Sequence, residues 1–277
     1  MPEAIKRRIF LRRNATQGLS SSPIRLAPDK FYAARKRYGN NMKNVLNLRE
    51  LGGISTRDGM VVRRSRLFRA GNPGFAAPSD MVKFRGLGLE EIIDLRAEHE
   101  KSAEGEAGFN RDFPRKAVPV VAGDLRGLEM TIERTEAIML EMYRDFATVY
   151  REQFATVLRQ AEAGKTFMYH CTAGKDRTGF ASFLLLNALG ADEETVMEDY
   201  LLSNRISEAL AVQVGPLFNS WGISLDDVRP LLSVAPHYLE ESYNVIRREF
   251  GGMDNYLRHI LKIDVERIRS HYLERPV

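Results

Sequence analysis

Cys171 is the only cysteine of the chain and stands six residues before Arg177 in the run HCTAGKDRTG. A thiol and a guanidinium at that spacing, joined by a loop that carries Gly174 and runs straight into an apolar helix, make a site for a tetrahedral dianion. Backbone N–H groups just before a helix N-terminus converge on one point, where the helix dipole also favours negative charge. A cysteine at the rim of such a loop meets the dipole and an arginine, surroundings that favour a thiolate. Arg177 brings a planar fork that matches two equatorial oxygens of a phosphate-like group. The reading is a nucleophile, Cys171, and a clamp, Arg177, around an anion held by Thr172, Ala173, Gly174, Lys175, Asp176 and Arg177. Thr178 falls where its hydroxyl can hydrogen-bond the sulfur and help it leave, and His170 can fix the loop through its ring nitrogens. The His170 and Cys171 pair does not extend to a zinc site, because no CxxC or second histidine cluster supplies further ligands. No metal and no cofactor are predicted.

A strand, a tight loop and a buried helix must position these groups. Residues 166–169 are short, apolar and β-favouring, and Phe180, Ala181, Phe183, Leu184, Leu185, Leu186, Ala188 and Leu189 make the following helix apolar on nearly every side. Both elements are therefore expected at the centre of the molecule. Around them the pattern predicts strands at 45–48, 61–62, 67–69, 91–95 and 117–121, with Asp58 and Gly59 as a hairpin turn. Pro78 starts a helix that ends near Gly86. Met139, Met142, Tyr143, Phe146, Tyr150, Phe154, Val157, Leu158 and Ala161 keep helical spacing over 132–161, as one long helix or two in line. The last third reads as helical: Asp192 and Ser224 as caps, a helix from Pro236 to a stop at Gly251 and Gly252, then two more. The sum is an α/β fold, a mostly parallel central sheet flanked by helices with a helical C-terminal third, and the loop at the carboxyl end of its strand.

These residues carry a resemblance. HCTAGKDRTG is similar to the signature of cysteine-dependent protein tyrosine phosphatases, and its GKDR form resembles the bacterial group typified by the mycobacterial protein tyrosine phosphatase B. Asn47-Leu48-Arg49-Glu50-Leu51-Gly52-Gly53 resembles that group's N-terminal NxRDxGG element, with Glu50 where Asp is commoner. Ile93, Asp94, Leu95, Arg96 and Glu100 resemble its central DLR strand end, and DYLLSN at 199–204 and the closing GGMDNYLRHIL also match. The resemblance covers residues 43–273. It implies a phosphatase fold and phosphomonoester hydrolysis through a phosphocysteine. The substrates it implies are phosphotyrosine proteins, with phosphoserine, phosphothreonine and phosphoinositides open.

Within that reading the general acid has two candidates. Asp176 resembles the aspartate given this task in the family, while Asp124 follows the strand at 118–120, where a mobile acid loop could lie. Lys175 either binds a second phosphate, as on an inositol ring, or sits on the loop exterior. Arg96 is expected to hold the loop rather than to bind substrate, and Asp94 to position Arg96. Residues 205–235 form either a helical lid over the pocket or a helical pair covering the core.

Composition sets the outer bounds. Of 277 residues 44% are hydrophobic and 28% charged, an ordinary globular balance for one catalytic domain. Residues 1–43 hold eleven Lys and Arg against Glu3 and Asp29, a balance of +9; the total of +4 leaves −5 for the rest. Residues 1–42 are thus a basic N-terminal extension and 43–277 the phosphatase-like domain. The extension is a solvated arm or a contact for an anionic surface, and no fold motif points to specific nucleic-acid binding. Without an apolar run of ~20 residues or a signal-like h-region, the expected compartment is the cytoplasm, with host-directed secretion lacking a cleavable signal left open. Two rival functions remain. A rhodanese-like sulfurtransferase also uses a loop cysteine before a helix, but without the HC…RT frame; a non-catalytic phosphate-binding module would not need nucleophile, clamp and acid together.

Overall fold

The computed structural model describes residues 44–101, 106–121 and 130–276. The basic extension expected over 1–42 lies outside them.

In chain order the first elements are β1 (Arg49–Glu50), β2 (Val61–Val62), β3 (Leu67–Ala70), α1 (Pro78–Gly86), β4 (Glu91–Asp94), α2 (Ala107–Asp112) and β5 (Lys116–Ala117). Then come α3 (Ile132–Thr148), α4 (Arg151–Glu162), β6 (Phe167–His170) and α5 (Asp176–Leu189). The helical C-terminal part is α6 (Glu193–Leu201), α7 (Ser207–Ser220), α8 (Arg229–Leu232), α9 (Pro236–Phe250) and α10 (Val265–Tyr272), closed by β7 (Leu273–Glu274).

Five strands form the central sheet in the order β1-β3-β6-β4-β5, with β3, β6, β4 and β5 parallel and β1 antiparallel at one edge. Every residue of β6 is buried. Its side chains alternate, so Phe167 and Tyr169 enter the large cluster under α3, α4 and α5, while Met168 enters a smaller one with Phe84 of α1 and Phe109 of α2. Both faces are covered, which explains why the strand reads as a continuous apolar run. The register pairs Ala70 and Asp94 with His170, so the carboxyl ends of three strands finish level, one residue before Cys171.

α5 buries 12 of its 14 residues and ends at Gly190, whose φ of 88° supplies the left-handed cap. The chain expected to be helical over 132–161 is two helices, broken at Val149 and Tyr150. Asp192 caps α6 as expected, accepting from Thr195 N–H at 2.7 Å. Pro236 opens α9, and Gly251 closes it.

Several expectations need correction. The strand expected at 45–48 is displaced to 49–50, because Asn47 takes φ 56° and turns the chain first. The strand expected over 117–121 is confined to Lys116–Ala117; Pro119 has no N–H to give a ladder. The turn at Asp58 and Gly59 forms, with Gly59 at φ 78° and an antiparallel bridge from Ser55 to Val61, but β2 finds its main partner in β7 and stands apart from the central sheet. Ser224 accepts from Asp226 N–H without starting a helix; α8 begins five residues later. α7 runs through Pro216 and leaves Val212, Leu217 and Trp221 exposed, while Phe218 joins Met130 and Val228 in a satellite cluster.

Candidate active site

Cys171 leaves the end of β6 and is 3% exposed. The loop turns at Gly174, where φ is 70° and a Cβ would stand 2.4 Å from the backbone of Ala70 and Gly71, so only glycine fits. The Gly174 carbonyl accepts from Asn47 Nδ2 at 2.6 Å and from Arg69 Nη2 at 3.0 Å. Because a trans peptide unit points its C=O and N–H in opposite directions, this grip turns the Lys175 N–H toward the other side of the loop. Asn72 N–H holds the opposite limb through the Thr172 carbonyl at 2.9 Å. The side chain of the N-cap residue Lys175 does not cap α5, which leaves its first-turn N–H groups to face the loop.

The Gly174 grip has its own foundation. Asp199 of α6 binds Arg49 Nε at 2.8 Å and Arg69 Nη1 at 2.5 Å, and Ser203 lies within hydrogen-bonding distance of Asn47, Arg49 and Arg69. All of this cluster except Asn47 is at least nine-tenths buried. Burial alone would raise the Asp199 carboxyl; the two guanidiniums outweigh it and hold it below the usual range.

Arg177, 6% exposed, is set by Glu100. Its Nη1 and Nη2 donate to the two carboxylate oxygens at 2.6 and 2.7 Å, and Nη1 also reaches the Val120 carbonyl at 3.1 Å. Thr172 Oγ1 and Ala97 N–H add donors to the same carboxylate at 2.6 and 2.9 Å. Burial opposes the charge on Glu100, but Arg177 and Thr172 overcome it and hold the carboxyl at about 2. Arg177 moves in the complementary direction, above its ordinary value.

His170 is fully buried, with Nδ1 3.2 Å from the Cys171 carbonyl; burial pushes its pKa down to about 4, so the ring is neutral and Nδ1–H donates. Thr178 is fully buried, and its hydroxyl has no hydrogen-bonding partner among the described residues. Asp176 Oδ1 accepts from Tyr143 Oη at 2.9 Å and from Lys175 Nζ at 2.8 Å. Lys175 is 1% exposed and also donates to the Ser233 carbonyl at 2.8 Å, so the exterior position considered for it does not hold. Asp124, the alternative acid, lies outside the described residues.

Asp94 positions Arg96 as expected, through Nε at 2.9 Å and Nη2 at 2.8 Å. Arg96 does not grip the loop, however. Its remaining strong bonds go to Glu106, which also binds Arg115 and Asn72. The residues that do hold the loop are Asn47, Arg69, Asn72 and Glu100. Asn47 and Glu100 entered only as parts of resembling motifs, and Arg69 and Asn72 were missed. An arginine inside the otherwise apolar strand LFRA was the available signal for Arg69, since a buried guanidinium requires a partner. Among the described residues no group of three or more His, Cys, Asp or Glu is arranged to hold a metal, and no helix is long and apolar enough to cross a membrane.

A lone thiol at the centre of an amide-lined loop, with a carboxylate-braced arginine across from it, defines the cysteine phosphatase class of site. The chain belongs to the tyrosine phosphatase family, whose sequence profile matches residues 40–274. It is 41% identical over 236 residues to a Cupriavidus necator protein named provisionally as a tyrosine-protein phosphatase, covering 83% of this chain and 86% of the relative. It is 26% identical over 268 residues to the triple specificity protein phosphatase PtpB of Mycobacterium tuberculosis, covering 81% and 95%. A tyrosine-protein phosphatase of Nostoc commune is 25% identical over 138 residues, about half of each chain.

Proposed function

We propose that this chain hydrolyses phosphotyrosine in proteins through a phosphocysteine at Cys171. The observation that carries the reading is the fixed fork of Arg177: with its guanidinium held by both Glu100 oxygens and Thr172 beside it, the clamp is oriented over the loop before substrate arrives.

In the first step the Cys171 thiolate attacks phosphorus and the P–O bond to the leaving group breaks on the opposite side. Arg177 and the loop N–H groups hold the three equatorial oxygens, and Asp176 gives a proton to the departing oxygen. In the second step water attacks the phosphocysteine, Asp176 takes a proton from it, and the Thr178 hydroxyl donates to the sulfur as it leaves. The unpartnered buried hydroxyl of Thr178 supports that role.

The tuberculosis relative's name describes three specificities, which supports phosphoserine, phosphothreonine and phosphoinositides as further substrate classes for this chain. Lys175 lends that extension no direct support, because its ammonium is already held by Asp176 and Ser233.

The test is phosphate release from a phosphotyrosine peptide, run beside thiocyanate formation from thiosulfate and cyanide. Wild type should release phosphate and form no thiocyanate, and Cys171→Ser should release none while still binding the peptide. Thiocyanate formation without phosphate release would replace this reading with sulfur transfer. Binding without turnover in wild type would replace it with a phosphate-reading module.

A further inference from the structure

α6 reaches the catalytic loop twice. Asp199 holds one limb through Arg69, and the next residue, Tyr200, points toward the other. Tyr200 is 1% exposed and lies over Gly179 of α5, where a Cβ would come within 3.1 Å of its ring. That close approach brings Tyr200 Oη to 2.7 Å from Tyr143 Oη, and Tyr143 Oη lies 2.9 Å from Asp176 Oδ1.

The direction of this chain is forced. A carboxylate oxygen only accepts, and a phenol has a single proton. Tyr143 therefore gives its proton to Asp176, and Tyr200 gives its own to Tyr143. Burial raises both phenols well above their ordinary pKa, with the charge of Asp176 adding to it, so each stays a donor across the working pH range. The Tyr143 ring is fixed in turn, stacked on Tyr238 at 5.7 Å between centroids and edge-on to Tyr200 at 6.1 Å. Lys175 Nζ donates to the same Oδ1.

We infer that Tyr143, backed by Tyr200, is a positioning residue for the general acid. Together with Lys175 it pins Oδ1 of Asp176 and leaves Oδ2 to carry the proton that passes to the leaving oxygen as the P–O bond breaks. The inference rests on the phosphatase reading and on Asp176 as its acid. Neither phenol touches the substrate; what they supply is the aim of the carboxyl group.

The experiment compares kcat/KM, which reports the steps through departure of the leaving group, on phenyl phosphate, whose leaving group needs a proton, and on p-nitrophenyl phosphate, whose leaving group does not. Variants are Tyr143→Phe, Tyr200→Phe, Asp176→Asn and the Tyr143→Phe/Asp176→Asn pair, each checked for a cooperative thermal transition. Removing the hydrogen bond that aims the protonated carboxyl should cost roughly tenfold in kcat/KM on phenyl phosphate for Tyr143→Phe. On p-nitrophenyl phosphate the loss in kcat/KM should be roughly twofold or less, because kcat/KM ends with departure of the leaving group and excludes the later hydrolysis in which Asp176 is the base. The paired variant should be no slower than Asp176→Asn alone, because both act through one proton. Should Tyr143→Phe fail to fold, Tyr200→Phe carries the same test, with a smaller loss of the same leaving-group dependence. Equal losses on both esters, or multiplying losses in the pair, would overturn the positioning role and leave the phosphatase reading intact. If Asp176→Asn itself shows no leaving-group dependence, the acid assignment falls and this inference falls with it.

Discussion

Glu100 and Arg177 face each other as two forks, with Oε2 2.6 Å from Nη1 and Oε1 2.7 Å from Nη2. The carboxylate comes from the short turn after β4 and the guanidinium from the first turn of α5, so the pair ties the catalytic loop to the neighbouring strand end. Two parallel charge-assisted bonds fix the plane of the guanidinium as well as its position.

Glu100→Gln keeps the shape but removes the charge and one acceptor. The expected result is a fall in kcat/KM of roughly tenfold to a hundredfold, the scale of a lost bond to a charged group, with the fold retained. Steady-state kinetics on a phosphotyrosine peptide measure it; an unchanged kcat/KM would mean that Arg177 needs no brace.

The same pair predicts an acid-sensitive contribution to stability. Glu100 is lowered from 4.5 to about 2, so the folded state binds its proton less readily than the unfolded chain. Its contribution is fully present above pH 4.5 and is lost as pH falls through about 2. Melting temperature followed over that window should drop more steeply in wild type than in Glu100→Gln.

His170 gives a second window at higher pH. Its pKa is lowered from 6.5 to about 4 by burial, so the unfolded chain takes up a proton in a range where the folded protein refuses one. Stability should fall as pH drops from 6.5 toward 4, and His170→Gln should flatten that part of the profile without touching the lower window.

Asp199 is the keystone of the Gly174 grip. Asp199→Ala would leave Arg49 and Arg69 buried and unpaired, a loss on the order of 3–5 kcal/mol in urea unfolding. Where the variant still folds, activity should fall on every substrate alike, because the loop loses its backbone setting rather than a substrate contact.

Lys175 tests how far the substrate range extends. With its ammonium already committed to Asp176 and Ser233, Lys175→Ala should lower turnover of a phosphotyrosine peptide and of a phosphoinositide by similar factors. A loss confined to the phosphoinositide would show that the side chain swings out to meet a second phosphate.

The loop itself was legible because its chemistry is local: thiol, glycine, arginine and threonine fall within eight consecutive positions, and the apolar strand and helix on either side announce their burial. The mostly parallel sheet followed from alternation of the elements. The supports were harder to read, since Asn47, Arg69, Asn72, Glu100, Tyr143 and Asp199 come from six different segments and meet only once strand register is set. Tyr143 and Tyr200 illustrate the point. On a helical wheel each is an aromatic core residue, and nothing in spacing shows that their hydroxyls line up on Asp176. Of the two-residue strands, Val61–Val62 was legible, but β1, β5 and β7 were missed or misplaced for another reason: they are defined by partners rather than by any run of their own, and Asn47 with its left-handed backbone breaks the apolar pattern before β1 begins.

Phosphate is expected to pass through Cys171 on its way from ester to water. Wild type mixed with p-nitrophenyl phosphate, quenched in acid within a turnover and digested, should yield the peptide carrying Cys171 with one phosphoryl group on sulfur. Asp176→Asn should accumulate more of that species, since loss of the base slows its hydrolysis. Turnover that leaves Cys171 unmodified, or phosphate found on another side chain, would contradict the account.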